Sequence, residues 1–230
     1  LASLAPDLIV TQAQCDVCAV RYADVVAAVA SKPALRETQV VALNPQNFVD
    51  ILAEIGRVAE AASCQATGQQ YVAELAARVE AVRNQGEAVP AAERPRVACI
   101  EWIEPLMLAG NWTPAMVEMA GGRNLLTAPG EHSPYCRWEE LRAADPEVIV
   151  ISPCGFDLDR TLTEWRALTH LPGWHDLAAV KDGRVYAVDG NAYFNRSGPR
   201  MVDSLEILAH LIHPDRIACP AGSEGVWEGV

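Results

Sequence analysis

The sequence has almost no lysine, few aromatic residues and no long apolar run. Lys32 and Lys181 are its only lysines, and 30 acidic residues against 18 basic ones give a net charge of -12. This acidity argues against a nucleic acid as the main partner, because phosphate binding needs a basic surface. A membrane-spanning helix needs roughly 18 consecutive apolar residues, and no run approaches that length. Half of the 230 residues are apolar, so the chain can still bury a core.

Signatures of catalysis are missing as well. The five histidines share no spacing that makes a metal site, and the sequence holds no phosphate-binding glycine loop and no nucleophile-elbow motif. Cys15 and Cys18 form a C-x-x-C, but no second pair follows at zinc-finger spacing. We interpret these thiols as small loop or buried side chains and keep a redox or metal role open as the alternative. The absences predict a protein that is not an enzyme and that uses no cofactor and no metal.

A repeat with an offset of about 140 residues organises the chain. Pro6 and Asp7 precede an apolar run at 8–10, and Pro146 and Glu147 precede a matching run at 148–150. A proline ends the preceding helix, and a short apolar run is typical of a buried parallel strand. Further on, 38–44 resembles 183–191, and both lead into amphipathic helices. The order of the two matches predicts a duplicated α/β unit.

Helical periodicity fills the region between the two copies. Apolar residues recur at helical spacing over 48–62 and over 71–82, and Thr67–Gly68 predicts a break between two helices. We therefore predict an α/β fold of two parallel-sheet lobes joined by one long helix. The expected segments are the remainder of an N-terminal lobe at 1–66, a connecting helix and linker at 67–90, and a C-terminal lobe at 91–230.

The second copy of the repeat is more complete than the first. It is preceded by a predicted strand at 96–102 and by a helix that Thr113 opens as a cap, with Pro114 in its first turn. The first copy shows no counterpart of these elements after Leu1. We therefore expect the N-terminal lobe to be incomplete in this sequence and a segment to precede it. No signal peptide is visible in the given sequence, and the expected upstream segment has room for one.

The predicted binding site is a cleft between the two lobes, past the carboxyl ends of the strands, because open parallel sheets bind ligands there. The loops at these positions hold a large share of the aromatic residues, together with amides and arginine. Such a set suits a broad, partly apolar ligand. The candidate ligand-binding residues are Gln12, Cys15, Trp102, Trp112, Cys154, Phe156, Ala192, Tyr193, Phe194, Asn195 and Arg196.

The chain resembles the helical-backbone periplasmic binding proteins of ATP-driven importers, and most closely their vitamin B12-binding branch. The stretches that carry the resemblance are "LAPDLIVTQAQCDVCAV", "EWIEPLMLAGNWTPAMVEMAGGRNLL", "WEELRAADPEVIVIS" and "NAYFNRSGPR". The resemblance implies a monomeric solute-binding protein that works outside the cytoplasmic membrane. It implies a cobalamin-like corrinoid as ligand and an ABC importer permease as partner.

The resemblance also implies roles for single residues. Relatives place a tryptophan where this chain has Tyr193, an acid where it has Asn195, and an aromatic where it has Gln12. Ring stacking survives the first change, whereas a contact made by the acid would be altered. Glu139 stands where the family docks a glutamate on arginines of the permease. Without the resemblance, Glu139 is a solvated helix charge.

Two alternatives remain open from the residues alone. The first keeps the fold but changes the ligand to a ferric siderophore or to haem, for which Tyr193 is a candidate axial ligand. The second is a metal-binding protein or enzyme on the same two-lobed plan. Its metal ligands would be Cys15, Cys18, Cys136 and Cys154.

Overall fold

The structure, a computed structural model, describes residues 1–14 and 20–230 and divides the chain into two compact units. Unit 1 comprises residues 1–76 and unit 2 comprises residues 77–230. The division falls inside the helix α3 (Gln65–Glu87), which begins in unit 1 and ends in unit 2. The segment predicted to connect two lobes is therefore shared between the units. Within the described ranges, no helix is both long and apolar enough to cross a lipid bilayer.

Unit 1 contains two parallel strands, β1 (Leu8–Gln12) and β2 (Gln39–Leu43). Their register pairs the first residue of β1 with the first of β2 and the last with the last. The helix α1 (Tyr22–Ser31) lies between them in the sequence. A parallel pair needs such a crossover, because a tight turn would make the strands antiparallel. The first copy of the repeat is thus a strand, a helix and a parallel strand.

The helix α2 (Phe48–Ala61) follows β2 and begins at a capping box. The Asn47 side chain accepts from the Asp50 N–H, and the Asp50 carboxylate accepts from the Asn47 N–H. These two bonds satisfy backbone donors that the first turn leaves without partners. Unit 1 therefore has a well-defined helix start directly after its second strand.

The predicted break at Thr67–Gly68 is wrong, because the chain turns between Ala61 and Gln65 instead. Ser63 adopts the left-handed conformation there, with a φ of 55°. Gly68 lies inside α3, where a Cβ atom would come within 2.2 Å of the Ala59 Cβ. This glycine lets α3 approach α2 closely, so its signal in the sequence reflects packing and not a helix end.

Unit 2 is organised around a six-stranded sheet. Its strands are β3 (Arg96–Trp102), β4 (Met107–Leu108), β5 (Arg123–Asn124), β6 (Val148–Ile151), β7 (Val185–Val188) and β8 (Trp227–Gly229). Neighbouring strands run in the order β4, β3, β6, β7, β8, with β5 also paired to β3. The strands β3, β5, β6 and β7 are parallel, whereas β4 and β8 pair antiparallel at the two sides. The predicted strand at 96–102 is confirmed.

Helices cover this sheet. The central strand β6 is completely buried at all four positions, as expected of a parallel strand with packing on both faces. The helices are α4 (Thr113–Met119), α5 (Trp138–Ala144), α6 (Leu158–Glu164), α7 (Ala178–Lys181) and α8 (Met201–Ile212). Ile100, Ile149 and Ile151 form one apolar core with Leu141 of α5 and Trp174. The longest helix that lies wholly in unit 2, α8, buries nine of its twelve residues.

The start of α4 differs from the prediction by one residue. Trp112 occupies the cap position, Thr113 is the first helical residue, and no side chain caps the helix. Thr113 is buried, so the threonine contributes packing where the sequence suggested a capping hydroxyl. Pro114 does lie in the first turn, as predicted.

The duplication predicted from the sequence is confirmed by the strand pairing. In unit 2, β6 and β7 are parallel and pair Ile149 with Val185, as β1 and β2 pair in unit 1. Each pair begins just after the proline and acid that mark its copy of the repeat. The carboxyl ends of both pairs therefore carry the loops that were predicted to bind a ligand.

Candidate functional site

The candidate site in unit 2 is the carboxyl edge of its parallel strands. β3, β6 and β7 run in the same direction, so the loops after Trp102, Ile151 and Val188 leave the sheet on the same side. Parallel α/β sheets bind ligands at this edge, because the strand order and the helix connections leave a crevice there. We call these three loops, which follow the C-terminal ends of the parallel strands, and the side chains that they carry the carboxyl edge.

The loop after β7 is tightly fastened to the rest of this edge. It forms a π-helical turn, Gly190–Phe194, and the Asp189 carboxylate caps it by accepting from the Ala192 N–H at 2.7 Å. The Asn195 Nδ2 donates to the Ser152 carbonyl at 2.6 Å, which ties the turn to the end of β6. At Gly190 a Cβ atom would come within 2.3 Å of the Pro153 carbonyl oxygen. The turn is therefore positioned before any ligand arrives.

Two of the rings predicted to touch a ligand serve mainly to hold this turn. Phe194 is 1% exposed and Trp112 is 6% exposed. The Trp112 Nε1 donates to the Phe194 carbonyl at 3.0 Å. Both side chains are therefore core anchors that have little surface to offer a ligand in this conformation. The adjacent Ala192 and Tyr193 are half-buried, so Tyr193 keeps part of its ring accessible.

A second group of rings stands beside the first. Trp102 meets Phe156 edge to face, with 5.2 Å between ring centroids. Phe156 is 6% exposed, because the Arg160 guanidinium covers it with its Cζ 3.5 Å from the ring centroid. The Phe156 carbonyl accepts from the Asn191 N–H at 2.9 Å. The loops after β3, β6 and β7 are thus joined into one continuous surface.

Arginine is the second component of the edge. The exposed Arg196 donates from Nε and Nη2 to the carbonyl and the side-chain Oδ1 of Asn191, at 3.1 and 3.2 Å. The exposed Arg200 lies over Tyr193, with its Cζ 5.5 Å from the ring centroid. Arg196 was predicted as a ligand contact, whereas Arg160 was missed. A signal existed for Arg160, because a cation in the first turn of a helix opposes the helix dipole and needs another reason to be there.

Arg78 lies near this edge but, unlike Arg160 and Arg196, it is hydrogen-bonded to two acids. Arg78, in the part of α3 that belongs to unit 2, donates to both carboxylate oxygens of Glu206 at 2.9 and 2.7 Å and to Asp203 at 2.5 Å. The hydrogen bonds to Glu206 and Asp203 raise the pKa of the Arg78 guanidinium above its usual value. A cavity of about 160 Å³ separates this cluster from Tyr193. Arg78 therefore fixes α8, which follows the site loop, and its charge is already matched.

Glu101 and Tyr135 also belong to this edge and were not predicted. The half-buried Glu101 carboxylate accepts from the Ser133 hydroxyl at 2.8 Å. Burial raises the pKa of the Glu101 carboxyl, while the Ser133 bond and the charge of His132 oppose the rise. Tyr135 is 73% exposed and bridges to Met107, which pairs with Trp102. An exposed ring and a partly buried acid therefore border Trp102.

The remaining predicted residues that the structure describes lie in β1, in the loop after β6 and in α5. Gln12 ends β1 in unit 1, where its Oε1 accepts from the Gln14 N–H at 2.8 Å. Cys15 and Cys18 lie outside the described residues. Cys154 is half-buried, and its N–H donates to the Glu101 carbonyl at 3.1 Å. Glu139 lies in the first turn of α5, with its carboxylate 3.6 Å from the Arg137 guanidinium and both side chains mostly exposed.

The cysteines that the structure describes are poor candidates for a metal site. Among residues 1–14 and 20–230, no three His, Cys, Asp or Glu side chains come together to hold an ion. Burial raises the pKa of the Cys99 thiol to about 12. Burial and the charge of Glu140 raise the pKa of the Cys136 thiol. Thiols that resist ionisation bind metals weakly, because the thiolate is the ligand.

The sequence matches a family model described as "Periplasmic binding protein" over residues 1–192. The chain belongs to this family. The match includes both copies of the repeat and the carboxyl-edge loops as far as Ala192. It ends just before Tyr193, so the tip of the last loop rests on the structure and on the sequence resemblance alone.

A curated relative is the uncharacterized ABC transporter substrate-binding lipoprotein YvrC of Bacillus subtilis (strain 168). It is 24% identical over 174 residues, which cover 74% of this chain and 52% of that protein. The chain thus spans about half the length of this relative. Substrate binding is the only role that the relative's name carries.

Solved structures share the fold at low identity. An ABC transporter substrate-binding protein from Listeria monocytogenes EGD-e has a TM-score of 0.75 at 16% identity, covering 93% of this chain and 79% of that one. The periplasmic heme-binding protein BhuT, in complex with two hemes, has a TM-score of 0.70 at 23% identity, covering 94% and 78%. The vitamin B12-binding protein BtuF of Vibrio cholerae has a TM-score of 0.65 at 19% identity, covering 91% and 75%. The fold is that of the class III periplasmic binding proteins, as the sequence predicted.

Proposed function

We propose that this chain is the solute-binding protein of an ABC importer and that it binds a tetrapyrrole at the carboxyl edge. The membership of the family and the substrate-binding relatives support the transport role. The ring and amide composition of the edge supports the ligand class. In this proposal the protein performs no chemistry on its ligand and works outside the cytoplasmic membrane.

The observation that carries the proposal is the preorganised turn at 190–196. Tyr193 offers a partly exposed ring, and Asn191, Asn195 and Arg196 offer polar groups beside it. The bonds to Asp189 and Ser152 hold the turn in place. A site that is rigid before binding loses less conformational entropy on complex formation. A flat macrocycle presents a wide apolar face and polar side chains, and this edge matches both features.

Within the tetrapyrroles, a corrinoid and a haem fit different features of the edge. The resemblance to the vitamin B12-binding branch favours a cobalamin-like corrinoid, whose side amides would bond to the asparagines. The phenol of Tyr193 favours haem, because a tyrosinate oxygen can bind ferric iron. A ferric siderophore is the alternative outside the tetrapyrroles, and exposed arginines favour it.

A titration with four probes tests this function. The purified full chain is titrated with cyanocobalamin, dicyanocobinamide, haemin and a ferric siderophore, and tryptophan quenching measures Kd. We expect micromolar or tighter binding of a tetrapyrrole. Tyr193→Ala should weaken it about tenfold, since stacking on one ring contributes about 1 kcal/mol or more. Tyr71→Ala, which removes an exposed tyrosine of α3, is the matched control. Binding of the siderophore alone would contradict the tetrapyrrole proposal.

The second part of the proposal is docking on a permease through Glu139. Its side chain is 67% exposed and lies beside Arg137, which is 75% exposed, so it is available to an arginine of a partner. Exposed pairs contribute little energy but orient encounter complexes. Glu139→Arg should lower uptake by cells that carry the cognate importer and leave ligand Kd unchanged. Glu60→Arg, on the exposed side of α2, should change neither.

A further inference from the structure

Arg160 and Arg196 are linked by one chain of contacts across the carboxyl edge. The Arg160 guanidinium lies on the Phe156 ring. The Phe156 carbonyl accepts from the Asn191 N–H, and Asn191 accepts in turn from two nitrogens of Arg196. Both guanidiniums are therefore held on the same surface by an aromatic ring and an amide. Neither contact neutralises a charge.

Two carboxylates near these arginines are used elsewhere. Asp157 accepts from the backbone N–H of Arg160 and caps α6, and Asp189 caps the π-helical turn. Glu164 approaches the Arg160 Nε only to 3.6 Å, and both side chains are about half exposed. In the described part of the chain, no carboxylate forms an ion pair with Arg196. The edge thus presents Arg160 and Arg196 with charges that are barely matched, beside Arg200, which forms no ion pair in the described part of the chain. Arg78 nearby is bound by two acids.

The helix dipole does not explain the charge of Arg160. Arg160 lies in the first turn of α6, where the helix dipole opposes a cation. A guanidinium that lies on a ring keeps its N–H edge free for bidentate bonding to a carboxylate. The chain has a net charge of -12, so these weakly paired cations do not reflect a generally basic surface.

We infer that Arg160 and Arg196 form an anion-recognition pair that selects ligands with carboxylates, or similar anionic oxygens, around their rim. This inference rests on the proposed tetrapyrrole-binding function and narrows it. The selected macrocycle carries acidic side chains, as haem does with its propionates. A corrin whose side chains are all amides lacks the groups that these guanidiniums bind.

Matched pairs of macrocycles test the inference without assuming the natural ligand. Dicyanocobyrinic acid, with free carboxylates, is compared with dicyanocobinamide, which has the same ring and amides. Haemin is compared with its dimethyl ester. We expect the acid form of the ring that binds to have at least about tenfold lower Kd than its neutral partner, because hydrogen bonds to charged groups are the stronger ones. This advantage should shrink as salt is raised.

Substitutions assign the selectivity to the two arginines. Arg160→Gln and Arg196→Gln should each weaken the acid form about tenfold and weaken the neutral form by a clearly smaller factor, so that the ratio of the two Kd values falls. The neutral form reports whether the loop remains intact. Arg166→Gln, an exposed arginine that follows α6, is the matched control and should change neither value.

The outcomes separate the inference from the function it rests on. If a ring binds but its acid and neutral forms have equal Kd, the inference is wrong and the tetrapyrrole function stands. If the substitutions weaken both forms equally, the arginines support the loop and do not recognise charge, which also overturns the inference. If none of the four macrocycles binds, the proposed function fails and the inference falls with it.

Discussion

The two ends of the parallel strands in unit 2 use charged side chains in opposite ways. The C-terminal ends carry the carboxyl edge, and we call the side at which the strands begin the amino edge. At the carboxyl edge, Arg160 and Arg196 rest on a ring and an amide and keep donors available. At the amino edge, a cavity of about 580 Å³ is lined mostly by charged residues. There Arg94 donates to the carbonyls of Gly86 and Val89, and Arg184 donates to the carbonyl of Ile212.

The amino edge is a meeting point of helix ends. α3, α4 and α8 all end there, and His213 completes the set with its Nε2 3.1 Å from the Gly121 carbonyl. The last carbonyls of a helix lack partners within the helix, and cations satisfy them well. The helix ends account for the arginines that line this larger cavity. The proposed binding site is therefore the carboxyl edge with its exposed donors, although the cavity at the amino edge is larger.

The largest effect is expected from breaking the amino edge. In α3, a Cβ atom at Gly86 would come within 2.2 Å of the Met119 carbonyl oxygen, at the end of α4. Gly86→Ala should lower the free energy of unfolding by about 3 kcal/mol, because the helices must separate. Urea titration measures this. Gly56→Ala is the control, since nothing lies within 4 Å of that position in α2. An equal loss in both variants would contradict the close-packing account.

The same substitution at the carboxyl edge should change binding more than stability. A Cβ at Gly190 would come within 2.3 Å of the Pro153 carbonyl oxygen, so Gly190→Ala must displace the turn that carries Tyr193. We expect ligand Kd to rise about tenfold or more, since small displacements of a preorganised site lose binding free energy. Calorimetric titration measures the change. Unaltered affinity would mean that the turn does not contact the ligand.

Acid should weaken the amino edge through His213. Burial and the charges of Arg216, Arg184 and Arg94 lower the pKa of its imidazole, although the bond to Gly121 opposes this. As pH falls, the histidine of the unfolded chain gains its proton at about pH 6.5, before the histidine of the folded chain does. The free energy of unfolding should therefore fall as pH drops below that value. His213→Gln keeps a donor for Gly121 and should flatten this part of the profile. An unchanged profile in the variant would exclude His213 as the cause.

Glu101 at the carboxyl edge should produce the smallest effect, with the opposite sign. Burial raises the pKa of its carboxyl, so the folded state keeps this proton to higher pH than the unfolded state does. Its contribution to stability is present in acid and is lost as pH rises through the folded pKa. Glu101→Gln removes the charge but keeps an acceptor for Ser133. The variant should be up to about 1 kcal/mol more stable at neutral pH, as thermal melting can measure. A less stable variant would contradict this.

Much of the fold could be predicted from the sequence because the repeat is written in local patterns. A proline and an acid before an apolar run mark β1 and β6, and their partner strands follow at similar distances. The helix break predicted at Gly68 was wrong because this glycine lets two helices approach each other, and local sequence does not reveal such a contact. Thr113 misled because a threonine beside a proline looks like a cap, although it is packed in the core.

The candidate site was less predictable. The aromatic residues of the edge could be found from their position after strands, but the sequence could not separate the buried Phe194 from the partly exposed Tyr193. That division depends on the bond between Trp112 and the turn, which joins residues far apart in the chain. Arg160 was missed although its place in the first turn of α6 was a signal, and its position over Phe156 follows from the fold of the loop after β6. The predicted ligand contacts remain predictions.

Hydrogen exchange measured by mass spectrometry, with and without the tightest-binding macrocycle, tests the central claim most directly. The account predicts that backbone amides at 154–160 and 190–196 become protected when the ligand binds, while those at 212–216 exchange at the same rate. Protection confined to 212–216 and its neighbours at the amino edge would contradict the account and would make the larger cavity the binding site.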